Sequence, residues 1–97
     1  MKLLKLEHLT NDTHKYKAIF QNPETGRTKT TKFGYHGMDD FTLTHDREQR
    51  DRYRARHAKD LQTGDPSRAG FLSYYLLWGN STSISENLRN YRNKFNV

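Results

Sequence analysis

The chain has 97 residues, the length of one small domain (residues 1–97), and 32% of them are hydrophobic. It contains no cysteine, which excludes disulfide bonds and thiolate metal sites, and no apolar run approaches the roughly 20 residues of a membrane span. The formal net charge of +6 is spread along the chain rather than held in a tail. We therefore predict that the fold assembles any surface that binds an anionic partner.

Three strands are predicted first, at residues 3–9, 14–20 and 27–33. A turn rich in proline and glycine links the second strand to the third, so the three strands should form an antiparallel meander. Alternation in the second strand puts its lysines, Lys15 and Lys17, on the face opposite the aromatic side chains. We interpret the lysine face as solvated, with a binding surface as the alternative.

Two glycines, Gly34 and Gly37, follow the third strand and predict a sharp change of chain direction. Asp40, His45 and His57 come next, and histidine with carboxylate occurs both in metal sites and in acid–base catalysis. None of their spacings matches a strong metal-binding or catalytic motif. We therefore predict that these five residues form a structural clamp, a hydrogen-bonded network that joins the sheet to the next helix, with no metal and no cofactor.

A highly charged helix is predicted at residues 47–61, with Asp46 as its N-cap. At about 100° per residue, Arg52, Arg56 and Lys59 lie within about 60° of one another and form a basic stripe. Asp46 with Arg50 and Glu48 with Arg52 are spaced four residues apart and are predicted to form intrahelical ion pairs, which discounts these two arginines as contacts for a partner. The alternative interpretation is a soluble helix without a partner. The candidate residues for binding nucleic acid or an acidic partner are Arg52, Arg54, Arg56 and Lys59.

The most apolar segment follows and is predicted to form a helix at residues 66–78, with Asp65 as N-cap and Pro66 as its first residue. Aromatic side chains recur through this segment at helical spacing, which predicts core packing or an oligomer contact. These aromatic residues are Phe71, Tyr74, Tyr75 and Trp78. A last helix is predicted at residues 84–95, where the S-x-x-E sequence forms a capping box. The fold class is α+β, with an N-terminal three-stranded antiparallel sheet followed by three helices.

The middle of the chain carries the pattern FGxxGxxDxTxxHD, then RxxYxxRH, then AGFxSxxLLW. These motifs span residues 33–78 and leave the N-terminal strands and the last helix outside. In them the chain resembles a family of short uncharacterised proteins of nucleocytoplasmic large DNA viruses. The resemblance implies a viral origin and association with the virion. It implies no particular activity and no catalytic residues.

We expect a non-enzymatic viral structural protein, located in the virion and in the host cytoplasm or nucleus during infection, that binds DNA non-specifically through its basic helix. The alternative is a minor capsid protein whose arginines pair with acidic residues of neighbouring viral subunits, with homo-oligomer formation through the aromatic helix. A second alternative is a small metal- or histidine-dependent hydrolase or nuclease that uses Asp40, His45 and Arg56. That alternative requires Asp40, His45 and His57 to converge in an open pocket.

Overall fold

The structure, a computed structural model, describes all residues from Met1 to Val97 and confirms the α+β class. A three-stranded antiparallel sheet in the order β1-β2-β3 comes first and four helices follow, three of them at the predicted places. The strands are β1 (Lys2–His8), β2 (His14–Gln21) and β3 (Thr28–Tyr35). The helices are α1 (Phe41–Thr44), α2 (Arg47–His57), α3 (Ala69–Leu72) and α4 (Ile84–Phe95). A 3-10 segment (Ala58–Thr63) continues α2, and a π-helical segment (Ser73–Leu77) continues α3.

A bulge in β1 lets two of its leucines face the helices. Leu3 pairs with Phe20 and Lys5 pairs with Ile19, so Leu4 is an extra residue without a partner in β2. Leu4 is consequently exposed, while Leu3 is only 2% exposed and Leu6 packs against the core. Because the extra residue shifts the alternation, side chains on both sides of the bulge reach the same face of the sheet.

The core lies between one face of the sheet and the three longer helical segments. Every strand and helix contributes at least one buried apolar side chain to it, except α2 and the 3-10 segment that continues α2. The contributing residues are Leu3, Ala18, Phe20, Phe33, Phe41, Leu72, Leu76, Leu77, Trp78 and Tyr91. The continuous segment formed by α3 and its π-helical extension supplies three of them, and Trp78 follows it directly, which explains why this is the most apolar part of the sequence.

The prediction that the aromatic helix begins at Pro66 is wrong. The Asp65 carboxylate accepts hydrogen bonds from the backbone N–H of Ser67 at 2.9 Å and from its hydroxyl at 2.7 Å, which closes a tight turn. The carbonyl oxygen of Ser67 also accepts a hydrogen bond from the Thr31 hydroxyl at 2.7 Å. Since these contacts fix the turn against β3, the helix begins only at Ala69.

The boundaries of α4 are those predicted from its capping box. The Ser83 hydroxyl accepts a hydrogen bond from the backbone N–H of Glu86 at 3.3 Å. Asn87, on the first turn of α4, is buried and donates from its side-chain amide to the carbonyl oxygens of Leu76 at 3.0 Å and Ser81 at 2.8 Å. These bonds satisfy backbone groups where the π-helical segment ends, and they tie α4 to α3.

No helix in the structure combines the length and the apolar character needed to cross a lipid bilayer.

Candidate anion-binding face on the basic helix

The helix α2 begins where the sequence predicts, because Asp46 caps it. The Asp46 carboxylate accepts hydrogen bonds from the backbone N–H groups of Glu48 at 3.0 Å and Gln49 at 3.1 Å. Regular α-helix ends at His57, and the 3-10 segment then carries the chain to Thr63. The predicted helix at residues 47–61 is therefore present, with its last turn more tightly wound than an α-helix.

The inner side of α2 packs through an aromatic column instead of aliphatic residues. The Tyr53 ring lies between the ring of Trp78, at 4.3 Å with an interplanar angle of 9°, and the ring of His57, at 4.1 Å and 21°. Burial raises the pKa of Tyr53, and the nearby charge of Asp60 adds to this increase. The guanidinium group of Arg50 lies over the Phe41 ring at 4.7 Å. These contacts fix which side of α2 faces the body of the protein.

Arg54 belongs to the inner side of α2, so the prediction that it binds DNA or an acidic partner together with the other three candidates is corrected. Its Nε donates a hydrogen bond to the carbonyl oxygen of Trp78 at 2.7 Å, and its Nη2 donates to Oδ1 of Asn80 at 2.9 Å. At about 100° per residue, Arg54 lies roughly 160° around the helix from both Arg52 and Arg56. It therefore stabilises the connection between α3 and α4 and is not part of the basic stripe.

The three remaining candidates are all exposed: Arg52 and Arg56 lie on the outer side of α2, and Lys59 lies in the 3-10 segment that continues it. Together these three residues are called the outer face of α2. Arg52 lies 4.0 Å from the Glu48 carboxylate, but the two side chains are 61% and 90% exposed, so this ion pair is weak. No carboxylate lies within 4.0 Å of Arg56 or Lys59. The predicted pair of Arg50 with Asp46 does not form, because Arg50 contacts Asp51 at 3.1 Å instead. Two cations on this face are thus without an internal counterion.

The predicted clamp exists in a different form, because a lysine takes the place of the histidines. The Asp40 carboxylate accepts a hydrogen bond from Nζ of Lys15 at 2.6 Å, and their side chains are 2% and 8% exposed. Asp40 also caps α1 by accepting a hydrogen bond from the backbone N–H of Thr42 at 2.8 Å. Lys15 donates a second hydrogen bond to the carbonyl oxygen of Met38 at 2.6 Å. This ion pair joins the sheet to α1, and it corrects the prediction that Lys15 lies on a solvated face.

Neither histidine of the predicted clamp contacts Asp40. His45 ends α1 in the left-handed conformation, with φ of 57°, and its side chain is directed to solvent. Nδ1 of His57 lies 3.0 Å from the carboxylate of Asp60. The contribution of the glycines is a matter of backbone shape: Gly34 has φ of 69°, and a Cβ there would lie 2.8 Å from the Leu77 side chain.

A cleft of about 540 Å³ opens between the end of β3 and the side of α2. Arg56 and His57 line one wall, and Tyr35 and Met38 line the other. Asp40 and His45 do not line it, and no three histidine or acidic side chains in the structure come together as metal ligands. The convergence that the hydrolase or nuclease alternative requires is therefore absent.

The first part of the chain, residues 4–57, matches a family of unknown function, DUF5754. The chain belongs to this family. No curated protein and no solved structure matches it. The matched segment contains most of the sheet, the Lys15–Asp40 ion pair and α2 with Arg52 and Arg56, whereas Lys59 and the helices α3 and α4 lie beyond it.

In this member of DUF5754, the residue that alternation misassigned is Lys15. It stands between His14 and Tyr16, which pair with Tyr35 and Phe33, so Gly34 lies opposite Lys15. The positive φ of Gly34 interrupts the regular extended backbone of β3 at this point. A glycine inside a strand often marks an irregularity of the backbone. Gly34 was therefore the signal in the sequence that the two-residue alternation of side chains fails at Lys15.

Proposed function

We propose that the protein is a non-enzymatic binding protein. It binds a polyanion, in particular DNA, through the outer face of α2 and without sequence preference. One observation supports this proposal most. Arg52, Arg56 and Lys59 are all exposed; Arg56 and Lys59 have no carboxylate partner, and Arg52 has only a weak one. Such a face attracts phosphate groups by releasing their counterions, a source of affinity that does not depend on base sequence.

The sheet is a less suitable surface for a polyanion than the outer face of α2. Several basic residues of the sheet have acidic partners: Lys5 and Lys17 contact Glu7, and Lys32 contacts Asp12 at 2.6 Å. The resemblance to proteins of large DNA viruses supports a structural role in the virion or at the genome. In that setting the protein would be found in the virion and in the cytoplasm or nucleus of the infected host.

The second candidate is a minor capsid protein, in which the same three cations pair with acidic residues of neighbouring viral subunits. The weak Arg52–Glu48 pair favours neither partner, since any carboxylate or phosphate can displace it. Self-association through the aromatic helix belongs to this candidate. Phe71 and Trp78 are buried within the chain, so they are poor candidates for a contact between copies of the protein. Tyr74 and Tyr75 are partly exposed and are better candidates.

The test is binding to a short DNA duplex, measured by electrophoretic mobility shift across a series of salt concentrations. The variant combines Arg52→Gln, Arg56→Gln and Lys59→Gln. A matched control removes three exposed charges elsewhere, by Lys2→Gln, Arg27→Gln and Arg89→Gln. We expect the first variant to lose most of the binding at low salt and the control to retain most of it. Wild-type protein that leaves DNA unshifted at low salt would rule out the DNA proposal and leave the capsid candidate.

A further inference from the structure

We propose that a second site, between α3 and α4, binds a single phosphate group, either as the free anion or as a phosphomonoester. The site is a pocket of about 250 Å³ on the side of α2 that faces away from the basic stripe. Its volume is below the range of about 300–1,000 Å³ typical of pockets for larger ligands, and it suits a small tetrahedral anion. Because different residues form it, this proposal is independent of DNA binding through the outer face of α2.

The wall of the pocket contains two cations and no acid. Arg54 and Lys94 supply the positive charges, and the other side chains around the pocket are asparagines and tyrosines. The charge of Asp51 acts to raise the pKa of Arg54, but the Asp51 carboxylate does not line the pocket and contacts Arg50 at 3.1 Å. An uncompensated positive charge in a partly enclosed space favours an anionic ligand.

Several donors in the pocket have no acceptor within the protein. Arg54 uses Nε and Nη2 for the Trp78 and Asn80 oxygens, which leaves its Nη1 without a partner. The Tyr74 and Tyr75 hydroxyls and the Lys94 ammonium group make no hydrogen bond to the chain. Phosphate oxygens accept several hydrogen bonds at once, so one phosphate could satisfy donors on both helices.

The position of Arg54 is fixed in advance, which is what a selective anion site requires. Its guanidinium group is held by the two oxygens of the α3–α4 connection and lies over the Tyr74 ring at 5.8 Å. Burial lowers the pKa of Arg54, and the positive charge of Arg50 adds to this decrease. Both causes disfavour the charged guanidinium, and an anion in the pocket would offset them. The position of the Arg54 guanidinium group is thus determined before the ligand arrives.

Two variants of α4 test the proposal with equal loss of charge. Lys94→Gln removes a cation from the pocket, and Arg89→Gln removes an exposed cation of the same helix that does not line it. Titration with inorganic phosphate, followed by NMR at constant ionic strength set with chloride, gives the dissociation constant for each protein. We expect saturable shifts at the side chains of Arg54 and Asn90, binding at least about threefold weaker in Lys94→Gln, and a change of less than about twofold in Arg89→Gln.

Two further measurements make the outcome decisive. Lys94→Arg should restore most of the affinity, because it returns the charge and a donor. Glycerol 3-phosphate binding more tightly than inorganic phosphate would assign the site to a phosphate carried on a larger molecule, and the reverse order would assign it to the free anion. The proposal is overturned if wild-type protein shows no saturable shift at tens of millimolar phosphate, or if Arg89→Gln weakens binding as much as Lys94→Gln does.

Discussion

The buried ion pair of Asp40 with Lys15 predicts a large loss of stability when Asp40 is replaced by alanine. The substitution leaves the Lys15 ammonium group, on a side chain only 8% exposed, with the Met38 carbonyl oxygen as its remaining partner. Breaking a buried pair in this way costs about 3–5 kcal/mol, and loss of the α1 N-cap adds about 1 kcal/mol. A domain of this size has a free energy of unfolding of about 5–15 kcal/mol, so the loss is a large fraction of the total stability.

Urea unfolding, followed by Trp78 fluorescence and far-ultraviolet circular dichroism, measures this loss. Asp39→Ala is the matched control, because Asp39 is an exposed acid one residue away and should change stability by less than about 0.5 kcal/mol. The double variant Lys15→Met with Asp40→Leu removes both charges, and we expect it to recover much of the stability because apolar residues often replace a buried pair at little cost. Two results would refute this reasoning. One is a loss of less than about 1 kcal/mol in Asp40→Ala; the other is a double variant whose loss of stability equals the sum of the losses in its two single variants.

Two further predictions concern the sheet. Gly34→Ala should destabilise the protein by about 1–3 kcal/mol more than Gly37→Ala in urea unfolding, because both have positive φ but only Gly34 has a close neighbour; equal losses would contradict this. The hydrogen bond from Lys32 lowers the pKa of Asp12 to about 2, so the stabilising effect of Asp12 is complete above pH 3.8 and falls as pH decreases towards 2. NMR titration should show the Asp12 pKa rising in Lys32→Gln, and an unchanged value would contradict the assignment.

The order of the three strands and the three longer helical segments was predictable from the sequence because each has a local signal. Alternation marks the hairpin, and Asp46 and Ser83 mark the starts of α2 and α4. The start of α3 was not predictable in the same way. Asp65 followed by Pro66 is a good helix start in isolation, but contacts with β3 stabilise a turn there instead.

The clamp shows why the contact partner of a charged residue is harder to predict from the sequence than the place of that residue in the fold. Asp40 was identified as part of the connection between sheet and helix, and this is where it lies. Its partner Lys15 is 25 residues away in sequence and was assigned to the solvated face by alternation. Arg54 presents the same difficulty: its charge suggested a place beside Arg52 and Arg56, and nothing in the sequence indicated its contacts with the Trp78 carbonyl oxygen and the Asn80 side chain. Long-range partners of charged residues depend on tertiary structure, which local patterns do not contain.

The most direct test of DNA binding through the outer face of α2 is the salt dependence of the affinity. The logarithm of the binding constant decreases linearly with the logarithm of the salt concentration. The magnitude of this slope decreases by about 0.9 for each phosphate contact that is lost. Replacing Arg52, Arg56 and Lys59 together by glutamine should therefore reduce the magnitude of the slope by about 2.7. The control with Lys2, Arg27 and Arg89 replaced should reduce it by less than about 1. Equal reductions in the two proteins would show that DNA contacts the surface as a whole and would contradict a specific role for α2.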